Sequence, residues 1–202
     1  AKSVAVAKLT IAQLVAFALS GMVMMLAVVP MNATLPTLYA QHANVTVAAV
    51  GTIFLVRSVY DAVSDQFIGF LSDRTRTRIG ARLPWIISGS LVLIVSMLML
   101  FRIPADADAL YFGGWTLAFF TGSTMVGIPY YAWANELTSD YEQTSRVFAY
   151  KAFFENGGSM LFSLIPMALV FVGAVSSAAY TPEMTWLFAQ IVLVGLPLSV
   201  AG

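Results

Sequence analysis

The sequence predicts an all-α membrane protein, and three observations carry that prediction. Of 202 residues, 59% are hydrophobic and 10% are charged, against roughly 25% charged in an ordinary soluble domain. The apolar residues fall into six long runs separated by short polar or proline-containing stretches, and the basic residues gather at one set of run ends. A chain so short of charge cannot cover itself against water. Runs of about 20 apolar residues are long enough to cross a hydrocarbon core of roughly 30 Å as helices.

The first span, about residues 9–29, follows Lys2 and Lys8. A signal peptide would have an apolar core of only about 7 to 15 residues ending in a small-residue cleavage site, and the MNATLP that follows does not resemble one. Pro30 and Pro36 bracket a loop to about Val45, and span II covers about 47–71. A short basic loop from Ser72 to Arg82 leads to span III, about 83–101. The turn RIPADADA precedes span IV, about 110–133, and the polar loop NELTSDYEQTSR precedes span V, about 147–172. Span VI covers about 183–201.

Six spans put both ends of the chain on one side. Lys2, Lys8, Arg74, Arg76, Arg78, Arg82, Arg146 and Lys151 lie at that side, and Arg102 lies at the other. Basic loops stay in the cytoplasm, so both ends are expected there, with His42, Asp106 and Asp108 outside. The sequons at Asn32 and Asn44 fall in the outer loop, a pattern short enough to recur by chance. Trp115, Tyr111 and Trp133, near the ends of span IV, suit interfacial belts.

Composition also narrows the function. Ten basic and ten acidic residues give no reason to expect nucleic acid as a partner. The absence of Cys removes disulfides and thiolate chemistry, and one His leaves no His-rich zinc site. No nucleophile and base pair appears, so no catalytic residue is expected.

The chemistry concentrates in span II. Arg57, Asp61 and Asp65 recur at four-residue spacing and share one helix face. A charge near the middle of a membrane helix costs roughly 2.5 to 3.5 kcal/mol on the mildest scale, so such residues face a polar cavity and mark an ion or solute path. Two carboxylates one turn apart repel in a low dielectric, and either a cation or a proton relieves the repulsion. Ser64 adds a hydroxyl oxygen, a donor that hard cations prefer. Asp61 and Asp65 are thus the candidate site for a monovalent metal cation or a proton. The competing account is that Arg57 merely neutralises Asp61 one turn away.

In span V, Lys151 and Glu155 form a second pair of this spacing, followed by Asn156, Gly157 and Gly158. Lys151 is either a snorkelling residue or a ligand for solute, and Glu155 lies one turn deeper. The small residues permit close approach of a neighbouring helix. In the basic loop, Asp73 among Arg74, Arg78 and Arg82 suggests a gate whose ion pairs exist in one conformation and break in another. Six-helix units are also the halves from which the largest transporter superfamily builds twelve-helix bundles around a midplane site.

The stretch DAVSDQFIGFLSDRTRTRIGARLPW resembles helix II and the following loop of the glycoside-pentoside-hexuronide cation symporters, the melibiose permease branch of the major facilitator superfamily. GIPYYAWANELTSDYEQTSR is similar to the end of that family's helix IV and its next loop. The resemblance implies the N-terminal six-helix half of a twelve-helix bundle, completed by a C-terminal half from the same or a second chain. It implies symport of a sugar or glycoside-like solute by alternating access, coupled to Na+, Li+ or H+, in a bacterial inner membrane.

Carried over, the cation site would be Asp61, Ser64 where Asn is common, Asp65 and Thr124. The family's helix IV aspartate corresponds to Gly127, its helix V arginine to Lys151, and its helix I acidic residue has no counterpart between Lys8 and Asp61. The solute site expected here is Lys151, Glu155, Arg57 and Gly127. AYKAFFENGG also resembles helix V of animal sodium-coupled lysolipid symporters, which implies an amphiphilic solute instead. A non-transporting scaffold or receptor on the same fold is the reading from another class.

Overall fold

The computed structural model describes residues 10–43, 45–77, 82–104, 106–136 and 140–171, apart from the side chains of His42, Trp133, Glu136 and 165–171. Span VI, Arg78, Asn44 and the basic residues Lys2 and Lys8 lie outside the described residues.

All regular structure among the described residues is helical: α1 Ile11–Ala33, α2 Leu35–His42, α3 Val47–Arg74, α4 Leu83–Phe101, α5 Ala109–Glu136 and α6 Tyr141–Phe171. By length and composition, three stretches among the described residues can cross a membrane: Ile11–Gln41, Val47–Arg74 and Leu83–Phe101. The chain is an integral membrane protein.

Local chemistry sets several helix starts. The Thr10 hydroxyl accepts from the Gln13 amide, and the Gln13 side chain accepts from the Thr10 amide, 3.0 Å. Thr46 caps α3 by accepting from the Ala49 amide at 3.2 Å, and Asp108 caps α5 by accepting from the Tyr111 amide at 2.8 Å. Each cap satisfies an amide that has no partner inside the helix. Pro84 sits in the first turn of α4, where its missing N–H costs nothing.

The first helix does not end where a loop is expected. It runs through Pro30 to Ala33, and α2 follows after Thr34 alone. Pro30 removes one hydrogen bond, yet its own carbonyl accepts from the Thr34 amide at 2.9 Å, and Thr34 accepts from Leu38 at 3.1 Å. Pro36 falls in the first turn of α2, where proline is tolerated. The segment read as an outer loop is therefore mostly helical, and Tyr39 within it is fully buried. The Tyr39 hydroxyl donates to the Leu100 carbonyl, 2.9 Å, and its ring packs on Phe112 with centroids 4.3 Å apart.

Glycine lets two helix pairs close up. A Cβ on Gly122 would stand 2.8 Å from the Leu93 amide nitrogen, and one on Gly89 would stand 3.0 Å from the Gly122 carbonyl, so α4 and α5 meet backbone to backbone. A Cβ on Gly158 would stand 2.7 Å from the Met22 carbonyl, which joins α6 to α1 in the same way. In lipid, where helices gain no hydrophobic drive toward one another, close approach of this kind supplies van der Waals contact.

Two apolar cores result, at different levels. The larger contains Leu26, Met31, Leu93, Met97, Phe112, Phe119 and Phe162. The smaller contains Leu14, Ala134 and Val147, with Phe17 and Phe148 against it. Along α1, α5 and α6 the residues between these cores include Gly21, Thr124, Gly127, Lys151 and Glu155. The polar side chains are thus held at an intermediate level of the bundle.

Candidate functional site

Helix α3 supplies the carboxylates. Asp61 falls at the midpoint of its 28 residues, a helix about 42 Å long at 1.5 Å per residue. Leu55, Val59, Val63 and Phe67 form an outward apolar stripe. Arg57, Asp61 and Ser64 lie on the other side, where Val50, Ile68 and Ser72 are buried. Asp65, one turn on from Asp61, sits at the rim of that face and is exposed.

Three contacts fix α3 against α5. Ile53 packs against Gly113, the Tyr60 and Thr121 hydroxyls share a hydrogen bond of 2.8 Å, and Ile128 lies by Gly69. The two helices therefore run parallel, with residues 61–65 level with 121–125. Thr124 stands at the height of the two carboxylates.

The carboxylates differ in what surrounds them. Asp61 Oδ2 is 3.0 Å from Arg57 Nε, an ion pair by distance whose angle falls short of a hydrogen bond. Asp61 Oδ1 is buried and has no hydrogen-bond partner among the described residues. Ser64, 8% exposed, donates its hydroxyl to the Asp61 backbone carbonyl at 3.3 Å, so it is turned inward on the same face of α3. A buried carboxylate oxygen without a donor is costly, and a hard cation is one species able to satisfy it together with a hydroxyl oxygen.

The second cluster gathers α1, α5 and α6. Lys151 is 2% exposed, so it does not snorkel to a lipid interface. Its Nζ donates to Glu155 Oε1 at 2.5 Å and lies 3.9 Å from the Tyr131 ring centroid and 5.7 Å from that of Tyr130. Carboxylate and aromatic faces together offset the desolvation of a buried ammonium. Tyr130 stacks on Phe17 at 4.4 Å and donates to the Phe17 carbonyl at 2.7 Å. Gly21 leaves room for Glu155, whose Cγ would lie 3.0 Å from an added Cβ. Gly127 has open space where a Cβ would stand. Tyr130, Tyr131 and Phe17 escaped the sequence reading, and the signal that could have found them was the one-turn register of the two tyrosines with Gly127 and of Phe17 with Gly21.

Where α3 ends and α4 begins, Arg82 Nη1 is 3.5 Å from Asp73 Oδ1, Arg74 lies over the Phe70 ring at 4.0 Å, and Trp85 Nε1 donates to the Thr75 hydroxyl at 2.9 Å. The structure therefore brings together Asp73 and Arg82 but turns Arg74 to an aromatic ring. Arg57, named with Lys151, Glu155 and Gly127 for the solute site, pairs with Asp61 one turn away, as the competing account of that helix has it.

Residues 14–202 match the family described as MFS/sugar transport protein. The chain is 34% identical over 140 residues to the uncharacterized symporter sll1374 of Synechocystis sp., a match covering 65% of this chain and 26% of that protein. It is 31% identical over 135 residues to the inner membrane symporter YicJ of Escherichia coli, covering 65% and 29%. It is 26% identical over 160 residues to the isoprimeverose transporter of Lactiplantibacillus pentosus, covering 76% and 33%. The matched segments thus span about a quarter to a third of these relatives' length.

Proposed function

This chain belongs to the MFS/sugar transport protein family, and from that premise we propose that it forms one half of a symporter that couples a small glycoside-like solute to a Na+ or H+ gradient by alternating access. The second half is a further six-helix bundle, and the 75–82 loop faces the cytoplasm of a bacterial cell. Asp61, Ser64, Asp65 and Thr124 take the cation, Li+ being a further candidate. Lys151, Glu155 and the open space beside Gly127 belong to the solute site, and Asp73 with Arg82 forms a gate contact. The name of one relative, an isoprimeverose transporter, supports a glycoside-like solute.

One observation carries this reading. Asp61 stands halfway along a membrane helix with a buried, unsatisfied oxygen, beside an inward hydroxyl and level with Thr124. A purely structural helix gains little from buried charge, whereas a site that fills and empties must leave an oxygen for its ion.

Solute counterflow in proteoliposomes tests it, with Na+, Li+ and pH varied separately. Counterflow should depend on one of these cations and lose that dependence in Asp61→Asn. A protein with no counterflow would be a scaffold or receptor rather than a carrier. An amphiphilic solute is the second reading, and it is supported by α1, which brings Phe17, Gly21 and Met22 rather than an acidic side chain to its contacts with α5 and α6. A lysolipid that drives counterflow where glycosides do not would select it.

A further inference from the structure

Arg57 is held more completely than an ion pair with Asp61 requires. One edge of its guanidinium faces Asp61, with Nε 3.0 Å from Oδ2. Its Nη1 donates to Asn32 Oδ1 at 3.1 Å. Its plane is covered by Phe120, whose ring centroid is 3.3 Å from Cζ. Asn32 is itself oriented, because its Nδ2 donates to the Val28 carbonyl at 2.9 Å and so leaves Oδ1 free to receive the arginine. Asn32 belongs to α1, Phe120 to α5 and Arg57 to α3. Three helices therefore meet on one guanidinium, and beyond Asp61 it is held by Asn32 and Phe120, with the Phe54 ring of its own helix farther off at 5.9 Å.

Such a receptacle fits arginine and no other cationic side chain. A planar, delocalised ion can stack on a ring while its edge bonds two acceptors, whereas an ammonium is a point charge without a plane. The arrangement keeps a positive charge beside Asp61 Oδ2 and leaves Oδ1 open.

We propose that Asn32 and Phe120 are positioning residues that hold Arg57 as a tethered counter-ion of Asp61, which the coupling cation must displace in order to bind. The inference rests on Asp61 being a cation ligand, and it adds what sets the affinity of that site. Arg57 neutralises the carboxylate when the site is empty, so the empty bundle carries no isolated buried charge. Cation binding then frees the guanidinium edge that faced Asp61, while Asn32 and Phe120 retain the side chain nearby. The same contacts tie occupancy of α3 to α1 and α5.

The test is calorimetric titration with NaCl and with LiCl, without solute, of the purified transporter carrying its complete reading frame. Arg57→Gln should tighten cation binding by about tenfold or more, the scale of close charge-pair coupling. Asn32→Ala and Phe120→Leu keep the arginine but loosen its hold, and each should tighten binding by a smaller factor, about threefold. Damage to the fold weakens binding, so a gain cannot arise that way. If Arg57→Gln tightens binding while Asn32→Ala and Phe120→Leu leave it unchanged, the positioning role is overturned and a bare charge effect remains. If all three leave affinity unchanged or weaken it, the counter-ion itself is overturned. A wild-type protein that binds neither Na+ nor Li+ has no metal cation to displace Arg57 and overturns this inference, while the proposed symport then stands or falls on the pH arm of the counterflow experiment.

Discussion

Asp61 and Asp65 are one turn apart in sequence and unlike in surroundings. Asp61 has a tethered arginine on one oxygen and nothing on the other among the described residues, while Asp65 lies exposed at the rim. Asparagine keeps the shape of either side chain and removes its charge. We expect Asp65→Asn to abolish cation dependence of solute binding while residual solute binding survives. Asp61→Asn should do the same and also lower thermal stability, because Arg57 loses its acid partner. Solute titrations at varied Na+ with parallel melting curves check both, and unchanged cation dependence in both variants would place the coupling site elsewhere. Lys151→Ala leaves Glu155 without its ammonium partner. Solute affinity should fall by about tenfold or more, while cation affinity stays within about twofold. The i,i+4 spacing of both charge pairs was legible in the sequence. That Lys151 is buried under Tyr131 was not, because periodicity places a residue on a face without saying what covers that face.

At the scale of elements, glycine is decisive where backbones touch and incidental elsewhere. Gly122→Ala and Gly158→Ala would push a Cβ to 2.8 Å from a Leu93 amide nitrogen and 2.7 Å from a Met22 carbonyl. Backbone cannot swing aside as a side chain can, so each should destabilise by about 1 to 3 kcal/mol, the usual cost of overpacking. Gly51→Ala and Gly157→Ala meet nothing within 4 Å and should leave stability unchanged or slightly raised, since alanine favours helix. Melting in one detergent for all four variants separates the two groups. If Gly157→Ala proved as damaging as Gly158→Ala, the α1 and α6 contact would not run as described. The sequence flagged Gly157 and Gly158 together as small residues permitting close approach; the packing of α1 on α6 singles out Gly158 because it alone of the two points at the neighbouring backbone.

For the whole molecule, the polar side chains between two apolar cores are the feature on which the proposed coupling rests. In the proposed symport a cation at Asp61 takes over from the Arg57 guanidinium in the region where α1, α3 and α5 meet, and the Lys151 and Glu155 cluster uses α1 and α5 as well. Coupling free energies are typically about 1 to 3 kcal/mol, so saturating cation should raise solute affinity by roughly 5 to 150 fold, and solute should raise cation affinity by the same factor. Paired titrations check the reciprocity, and a factor seen in one direction only would exclude thermodynamic coupling. Orientation is tested separately: a cysteine at Thr77, just past Arg74 and Arg76 at the end of α3, should resist a membrane-impermeant reagent added outside intact cells. Labelling from outside would reverse the topology.

Composition and the length of the apolar runs determined on their own that the chain is a helical membrane protein, because bilayer thickness sets how many apolar residues a helix needs. Sequence also determined that span II carries the charges, and their cost inside a bilayer is what marks them as a candidate site. It misjudged the segment after Pro30, because a proline near a helix end removes one hydrogen bond without obliging the chain to turn. The partners of those charges were decided by tertiary structure alone. Arg57 reaches Asn32 from 25 residues away and stacks on Phe120, and Tyr130 reaches the Phe17 carbonyl from 113 residues away. A sequence pattern fixes angles around one helix axis; which helix stands opposite each angle depends on how closely glycine, aromatic and methionine surfaces let several helices approach at once.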